Sequence, residues 1–212
     1  MADFLRDSLE KIGYNATDLQ CDQLNSFHKL LCEWNEFMNL TGITEYDEVV
    51  IKHFVDSLAV NCVYSFKKTD RVVDIGTGAG FPGIPLKIMY PDTDFTLLDS
   101  LNKRIKFLDE VIRQTSLKNI ETLHGRAEDY AKNRDYREKF DVCVSRAVAN
   151  LSTLSEYCIP YVKVGGCFIA YKAGQLDEEL KAAERAVKLL GGEIAHVHKL
   201  TLPDTDIDRT FV

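Results

Sequence analysis

A glycine-rich loop is the first place in this sequence where residue types and spacing suggest chemistry. Residues 72–75 are apolar except for Asp74 and run directly into glycines at positions 76, 78, 80 and 83. Glycine lacks a Cβ, so the chain can turn sharply there and bring its backbone close to a flat or charged ligand. The glycines at 78, 80 and 83 also satisfy G-x-G-x-x-G, a dinucleotide fingerprint that is a weak signal alone. The loop therefore predicts a nucleotide-like ligand whose identity stays open.

Two aspartates narrow the choice of ligand. Asp74 precedes the first glycine, where its carboxylate suits a ligand that carries sulfonium and ammonium groups. Asp99 ends the next apolar segment, so we expect it at the neighbouring strand tip, accepting the ribose hydroxyls of an adenosine group. Asp99 suits NAD and S-adenosylmethionine equally, whereas Asp74, with Pro82 interrupting the expected helix start, argues against a nicotinamide cofactor. We predict that Gly78 and Asp99 contact the cofactor.

Two later motifs follow apolar segments in the same way. Ala127 and Glu128 come after a third predicted strand, and we expect their backbone to reach the adenine ring, with the Ala127 methyl group packing on it. Alternatively, Glu128 only stabilises the start of a helix. Arg146 follows a fourth predicted strand, at the sheet edge where open α/β sheets bind ligands. An ordinary surface ion pair is the alternative for Arg146.

The first third of the chain has helical periodicity. Apolar residues recur at three- and four-residue steps over 24–38, and Thr17 precedes them as a plausible cap. A second helix is predicted over 49–60. It carries His53 and Asp56, which we interpret as a structural hydrogen-bonding pair because no third metal ligand accompanies them.

From residue 71 onward, short apolar strands alternate with amphipathic helices. This pattern predicts an α/β fold with a doubly wound, mostly parallel sheet covered on both faces. We place the division between a helical extension and the sheet domain between residues 66 and 67. Strands are predicted at 72–75, 95–98, 120–123, 140–144, 167–171, 193–200 and 208–212, and helices at 85–90, 103–115, 127–132, 152–157 and 176–190.

Composition limits the possible partners. The 212 residues carry a formal net charge of −7, so any contact with RNA must come from a local patch, such as the basic stretch 103–139. Six cysteines without a C-x-x-C pair indicate buried thiols in a reducing cytosol and no metal site. No apolar run approaches the roughly 18 residues that span a bilayer. We expect a cytoplasmic protein that does not enter a membrane.

Taken together, these motifs resemble the glucose-inhibited division protein B family, and the resemblance covers nearly the whole chain. It implies a Rossmann-like class I methyltransferase with an N-terminal helical extension. The implied reaction is S-adenosyl-L-methionine-dependent methylation of a guanine N7 in 16S ribosomal RNA, in the 530-loop region of the small subunit or its precursor. The matching residues are 34–35, 39–41, 53, 56–58, 74–86, 98–101, 103–104, 125–128 and 145–149.

The resemblance also implies site residues. The positions that correspond to the family's cofactor contacts are Gly76, Phe81, Ala127, Glu128 and Arg146. The family usually ends in a complete strand, whereas this sequence stops at residue 212, so we expect a seventh strand that is cut short.

Guanine N7 has an in-plane lone pair and no proton, so we expect no catalytic base and predict catalysis by orientation. Lys172 and Arg104 are predicted to contact the substrate, although Lys172 is followed by Ala173 where many family members have glycine.

Trp34 is interpreted as packing against the sheet domain rather than stacking on RNA. We expect a monomer.

Two other functions remain open. The G-x-G-x-x-G match supports a nicotinamide-dependent reductase. The fold also suits a non-catalytic ribosome-assembly factor that retains a methyltransferase scaffold.

Overall fold

The fold is described from a computed structural model that covers residues 2–146, 149–174 and 176–212. The α-helices of the described residues are Ala2–Glu10 (α1), Asp18–Met38 (α2), Tyr46–Val49 (α3), Asp56–Leu58 (α4), Gly83–Met89 (α5), Asn102–Gln114 (α6), Ala127–Tyr130 (α7), Leu151–Cys158 (α8) and Asp177–Leu189 (α9). A π-helical stretch, Val50–Val55, joins α3 to α4, and 3-10 turns follow α4 (Ala59–Cys62) and α8 (Ile159–Tyr161).

The strands of the described residues form one sheet. They are Arg71–Ile75 (β1), Asp94–Asp99 (β2), Ile120–His124 (β3), Phe140–Arg146 (β4), Val162–Lys172 (β5), His198–Thr201 (β6) and Asp208–Phe211 (β7). Their order is β3-β2-β1-β4-β5-β7-β6. The first five strands run parallel, and β7 is antiparallel to both of its neighbours. The predicted α/β fold with a doubly wound, mostly parallel sheet is therefore confirmed.

Helix α2 starts where its sequence predicts. Thr17 is its N-cap, and it forms a capping box with Gln20 that satisfies amide groups at the helix start. The buried face of α2 places the Phe27 ring 5.1 Å from that of Phe81. Trp34 lies 5.7 Å from Phe107 on α6, between ring centroids, so its predicted packing role is confirmed. Among the described helices, none is both long and apolar enough to cross a membrane.

Side-chain alternation divides the core between the two faces of the sheet. Val72 and Phe95 point to the face covered by α2, α5 and α6, whereas Val73 and Ile75 point to the face covered by α8 and α9. The first of these clusters begins at Leu5 and includes both the N-terminal helices and the sheet. The division of the chain between residues 66 and 67 stays a prediction.

Two strands begin several residues away from their predicted starts, while the other strand boundaries differ by at most two residues. Strand β6 begins at His198, so the strand predicted from residue 193 is wrong over 193–197. A strand needs a partner for its backbone, and pairing with β7 starts only where His198 lies opposite Phe211. Strand β5 begins earlier than predicted, at Val162, because a bulge lets its first residues pair with β4 despite their irregular pattern.

Candidate functional site

The carboxyl ends of β1–β4 bring most of the predicted site residues to one edge of the sheet. Gly76 and Thr77 donate backbone hydrogen bonds to the Leu98 carbonyl, at 2.9 and 3.1 Å. Gly125 donates to the Asp99 carbonyl at 3.1 Å. The loops after β1 and β3 are thus both anchored on the end of β2, as expected for an open parallel sheet with a ligand crevice at this edge.

The glycine loop depends on residues without side chains at two close approaches. Gly80 has φ +93°, and a Cβ there would lie 2.7 Å from Ile84 Cγ1. At Gly83, a Cβ would lie 2.3 Å from Leu97 Cδ2 and 2.8 Å from Asp74 Oδ2. Gly83 also begins α5, directly after Pro82 and two residues before the predicted helix start at residue 85. The loop therefore packs tightly on the end of β1.

Asp74 is fully buried beneath this loop. Its Oδ2 accepts a hydrogen bond from the Gly83 amide at 2.9 Å. Its Oδ1 and the neighbouring Thr77 hydroxyl are both buried without a hydrogen bond of good geometry. Burial raises the pKa of Asp74 to about 7. Unpaired acceptors beside a turn of this shape fit a ligand with a positively charged, hydrogen-bond-donating group, as the methionine moiety of S-adenosylmethionine has.

Asp99 is held in place by three donors. Its Oδ2 accepts from the Gly78 amide at 2.9 Å and from Arg104 Nη1 at 3.1 Å, and its Oδ1 accepts from the Leu101 amide at 2.9 Å. A carboxylate oxygen accepts about two hydrogen bonds, so Oδ1 can still accept one from a ribose hydroxyl. Arg104, predicted to contact the substrate, is placed as a partner of Asp99.

Ala127 and Glu128 form the first turn of α7. Ala127 is buried, and its carbonyl accepts a 2.6 Å hydrogen bond from the Tyr161 hydroxyl. Glu128 forms an ion pair with Arg126 at 2.8 Å, and this contact lowers the pKa of the Glu128 carboxyl. The position of Glu128 suits both of its interpretations, contact with adenine and stabilisation of a helix start.

Arg146, at the end of β4, lies against the glycine loop. Its guanidinium stacks over the Phe81 ring, 5.0 Å from the centroid. Its Nη1 donates to Asp56 Oδ2 at 2.8 Å, and its Nη2 lies 3.4 Å from His53 Nδ1. His53 in turn stacks on Phe81 at 4.4 Å and contacts the Thr41 hydroxyl. The interpretation of His53 and Asp56 as a direct hydrogen-bonding pair is wrong, because Arg146 lies between them.

His53 is uncharged at neutral pH in this environment. Burial, together with the positive charge of Arg146, lowers its pKa to about 4. A neutral imidazole can stack on Phe81 beside a guanidinium without charge repulsion.

Sequence reasoning missed one member of this cluster. Arg209, on β7, donates from Nε to Asp56 Oδ1 at 2.6 Å. Its place in the cluster has no local sequence signal, because Arg209 and Asp56 are 153 residues apart. Only the order of the strands brings β7 close to α4.

Lys172, the other predicted substrate contact, lies at the end of β5. Its Nζ pairs with Glu179 at 2.6 Å and donates to the Ala149 carbonyl at 3.0 Å. Ala147 and Val148, which belong to the motif after Arg146, lie outside the described residues. Within the described residues, no group of three potential metal ligands comes together.

Solved structures identify the fold class of this chain. A putative O-methyltransferase from Klebsiella pneumoniae superimposes with a TM-score of 0.59 at 14% identity, covering 97% of this chain and 94% of that chain. A SAM-dependent methyltransferase from Aquifex aeolicus superimposes with a TM-score of 0.57 at 15% identity, covering 77% and 90%. At such identities the likeness shows the fold alone, which is the Rossmann-like fold of class I methyltransferases.

The particular family follows from the sequence. The profile of the GidB family, rRNA small subunit methyltransferase G, matches residues 20–208, and the chain belongs to this family. The ribosomal RNA small subunit methyltransferase G of Lachnoclostridium phytofermentans is 54% identical over 204 residues, covering 96% of this chain and 84% of that protein. The predicted family is confirmed, as is S-adenosyl-L-methionine as the cofactor.

Proposed function

We propose that this chain transfers a methyl group from S-adenosyl-L-methionine to N7 of a guanine in 16S ribosomal RNA. The observation that carries the proposal is the sheet edge itself, in a member of the GidB family. There the glycine loop contacts Asp99 through the Gly78 amide and Arg146 through the Phe81 ring, and Asp74 Oδ1 lies buried below the loop without a hydrogen-bond partner. We refer to this part of the sheet edge as the crevice.

We assign the cofactor contacts by the chemistry of each position. The loop backbone and the Phe81 ring face the methionine half, the Asp99 carboxylate accepts from the ribose, and the start of α7 contacts the adenine. Arg146, stacked on Phe81, closes the crevice next to the helical segment. The full set of proposed contacts is Gly76, Gly78, Phe81, Asp99, Ala127, Glu128 and Arg146.

The reaction needs orientation more than acid–base chemistry. S-adenosyl-L-methionine supplies, when bound, an electrophilic methyl group on a sulfonium sulfur. Guanine N7 is already a lone-pair nucleophile, so no side chain has to remove a proton, and the residues of the crevice act by fixing the geometry of approach. The Asp74 carboxylate, when ionised, also stabilises positive charge near the reaction through space.

The setting of the reaction follows from the same proposal. The substrate guanine lies in the small ribosomal subunit or its precursor, and the enzyme acts as a monomer in the cytoplasm. Residues 1–66 serve as a helical extension to a methyltransferase domain formed by the rest of the chain. Lys172 and Arg104 are proposed to contact the RNA through the parts of their side chains not engaged with Glu179 and Asp99.

Small subunits purified from cells that lack the modification provide a direct test. Incubation with methyl-labelled cofactor should label 16S RNA at one guanine, and chain cleavage specific for 7-methylguanine should map it. An Arg146→Ala variant should lose most of its activity and bind the cofactor more weakly, whereas Arg185→Ala, on the exposed face of α9, should change neither.

Other outcomes would contradict the proposal in distinct ways. Label on a different base atom would refute N7 specificity. A folded protein that binds the cofactor but labels no RNA would favour a non-catalytic assembly factor. Calorimetric binding of NADH in place of S-adenosylmethionine would favour a reductase.

A further inference from the structure

Asp56 bridges two arginines from distant parts of the sheet. Arg146 Nη1 lies 2.8 Å from its Oδ2, and Arg209 Nε lies 2.6 Å from its Oδ1. The Asp56 side chain is only 2% exposed, while those of Arg146 and Arg209 are 14% and 20% exposed. We call these three residues the arginine bridge. One buried carboxylate thus holds two guanidinium groups near the protein surface.

The arginine bridge carries an excess of positive charge. Two guanidinium groups face one carboxylate, and the adjacent His53 is neutral because burial lowers its pKa to about 4. The nearest further acid along β7, Asp208, accepts from the Thr201 hydroxyl across the β6–β7 hairpin. A net positive charge at a partly buried site has a desolvation cost, and a bound anion would offset that cost.

Arg209 keeps donors that can reach such an anion. Its Nε is bonded to Asp56 and its Nη1 to the Asp208 carbonyl, while the described residues provide no hydrogen-bond partner for its Nη2. The Arg209 side chain is 20% exposed. A partly exposed guanidinium that is fixed on one side and keeps an unengaged N–H group is well suited to bind phosphate oxygens.

The position of Arg209 separates it from the cofactor crevice. Arg146 lies over Phe81 of the glycine loop, whereas Arg209 lies on β7, two strands further along the sheet from β4. Neighbouring strands are about 4.8 Å apart, so the two arginine backbones are separated by roughly 10 Å. The two arginine side chains extend towards each other, and each contacts one oxygen of the Asp56 carboxylate.

We propose that Arg209, fixed by Asp56, binds a backbone phosphate of the substrate RNA next to the reacting guanine, while Arg146 serves the cofactor side. This inference rests on the proposed function, because it takes RNA as the substrate. It adds a residue that positions the RNA and gives Asp56 the role of orienting both arginines. The phosphate contact fixes the RNA relative to the crevice without touching N7.

The salt dependence of substrate recognition tests this assignment. The KM for unmodified small subunits is measured at several KCl concentrations and fixed Mg²⁺, and the cofactor Kd is measured by calorimetry. Arg209→Gln should raise the KM roughly tenfold, or about 1.4 kcal/mol, because it removes a hydrogen bond between two charged groups. It should also reduce the slope of log affinity against log salt by about 0.7–0.9. The cofactor Kd should change by less than about twofold.

Two further variants separate charge from folding. Arg209→Lys keeps the positive charge, so it should retain the salt slope and most of the substrate affinity. Arg185→Gln removes an exposed arginine on α9, outside the basic stretch 103–139, and should leave all three quantities unchanged. The melting temperature of each variant is measured alongside, because a purely structural arginine would lower it without altering the salt slope.

Each alternative outcome has a distinct reading. If Arg209→Gln leaves the salt slope unchanged while the wild-type protein methylates the subunit, the phosphate assignment is wrong and the proposed function stands. If the cofactor Kd rises instead of the KM for the subunit, the anion is the cofactor carboxylate, and the assignment is again wrong. If the wild-type protein methylates no RNA, the proposed function itself fails.

Discussion

The two halves of the ligand-binding edge are built in different ways. On the glycine side, at the ends of β1 and β2, Asp74 and Asp99 are held by backbone amides of the loop between them. On the arginine side, at the ends of β4 and β7, Asp56 is held by side chains that lie 90 and 153 residues away. The first half is fixed by local chain geometry, whereas the second exists only when the whole sheet and the helical segment have come together.

The difference predicts that the two sides respond differently to substitution. A change on the glycine side should distort one loop, because its partners are close in sequence. A change in the arginine bridge should loosen contacts among three separate parts of the chain. Four substitutions test this contrast.

Asp56→Ala should have the largest effect. It leaves Arg146 and Arg209 without their shared carboxylate, and removal of one partner from a buried ion pair costs about 4 kcal/mol of unfolding free energy. Denaturant unfolding measures this loss. Asp208→Ala, which removes an exposed aspartate beside Arg209, should cost less than about 1 kcal/mol. Equal losses for the two variants would show that the bridge does not stabilise the fold.

The same contrast explains what the sequence reveals. The glycine loop, Asp99 and Arg146 can be predicted because each directly follows an apolar strand, and parallel strands place such positions at one edge. The Thr17 cap can be predicted because its hydrogen bonds are local. Arg209 cannot, since nothing near it in sequence indicates that β7 inserts between β5 and β6 and approaches α4.

Pairing between elements accounts for the remaining differences. The predicted start of β6 at residue 193 is wrong because apolar pattern does not reveal where a partner strand begins. The three-residue spacing of His53 and Asp56 predicts a hydrogen-bonding pair, but Arg146 from β4 contacts both residues and lies between them. The residue spacing within one helix does not predict that a long cationic side chain from another element contacts it.

Gly80→Ala should have the second largest effect, confined to the glycine side. Its Cβ would lie 2.7 Å from Ile84 Cγ1 in a left-handed conformation. Overpacking and backbone strain together should cost about 3 kcal/mol and weaken cofactor binding more than tenfold. Gly165→Ala is the matched control, with φ +84° but open space around the new methyl group. If both variants lose equally, backbone strain alone explains the effect and close packing of the loop does not.

Asp74→Asn should remove part of the pH dependence of the unfolding free energy. The pKa of Asp74 is raised from its ordinary value of 3.8 to about 7, so the folded state holds a proton that the unfolded state has released between these pH values. The contribution of Asp74 to stability is therefore fully present below about pH 4 and is lost as pH rises towards 7.

Unfolding free energies of wild-type and Asp74→Asn proteins at pH 5, 6, 7 and 8 measure this term. Relative to the wild type, the variant should gain about 2 kcal/mol between pH 5 and pH 7, since each pH unit is worth at most about 1.4 kcal/mol. A constant difference across this range would show that Asp74 is already ionised at pH 5. In that case its unpaired oxygen would be charged before any cofactor arrives.

Glu179→Gln should have the smallest effect on stability, and it tests whether Lys172 contacts RNA or has a structural role. Glu179 pairs with Lys172 at 2.6 Å and accepts from the Leu151 amide, and glutamine keeps the acceptor while losing the charge. The stability loss should be about 1 kcal/mol, as for a partly exposed ion pair.

If Lys172 contacts RNA, its release from this pair should lower the KM for small subunits about twofold at low salt. Glu184→Gln, on the exposed face of the same helix, controls for the change in net charge. If Glu179→Gln and Glu184→Gln change the KM equally, Lys172 has only a structural role, in which it connects β5 to α9. The arginine bridge would then be the proposed cationic RNA contact on the arginine side.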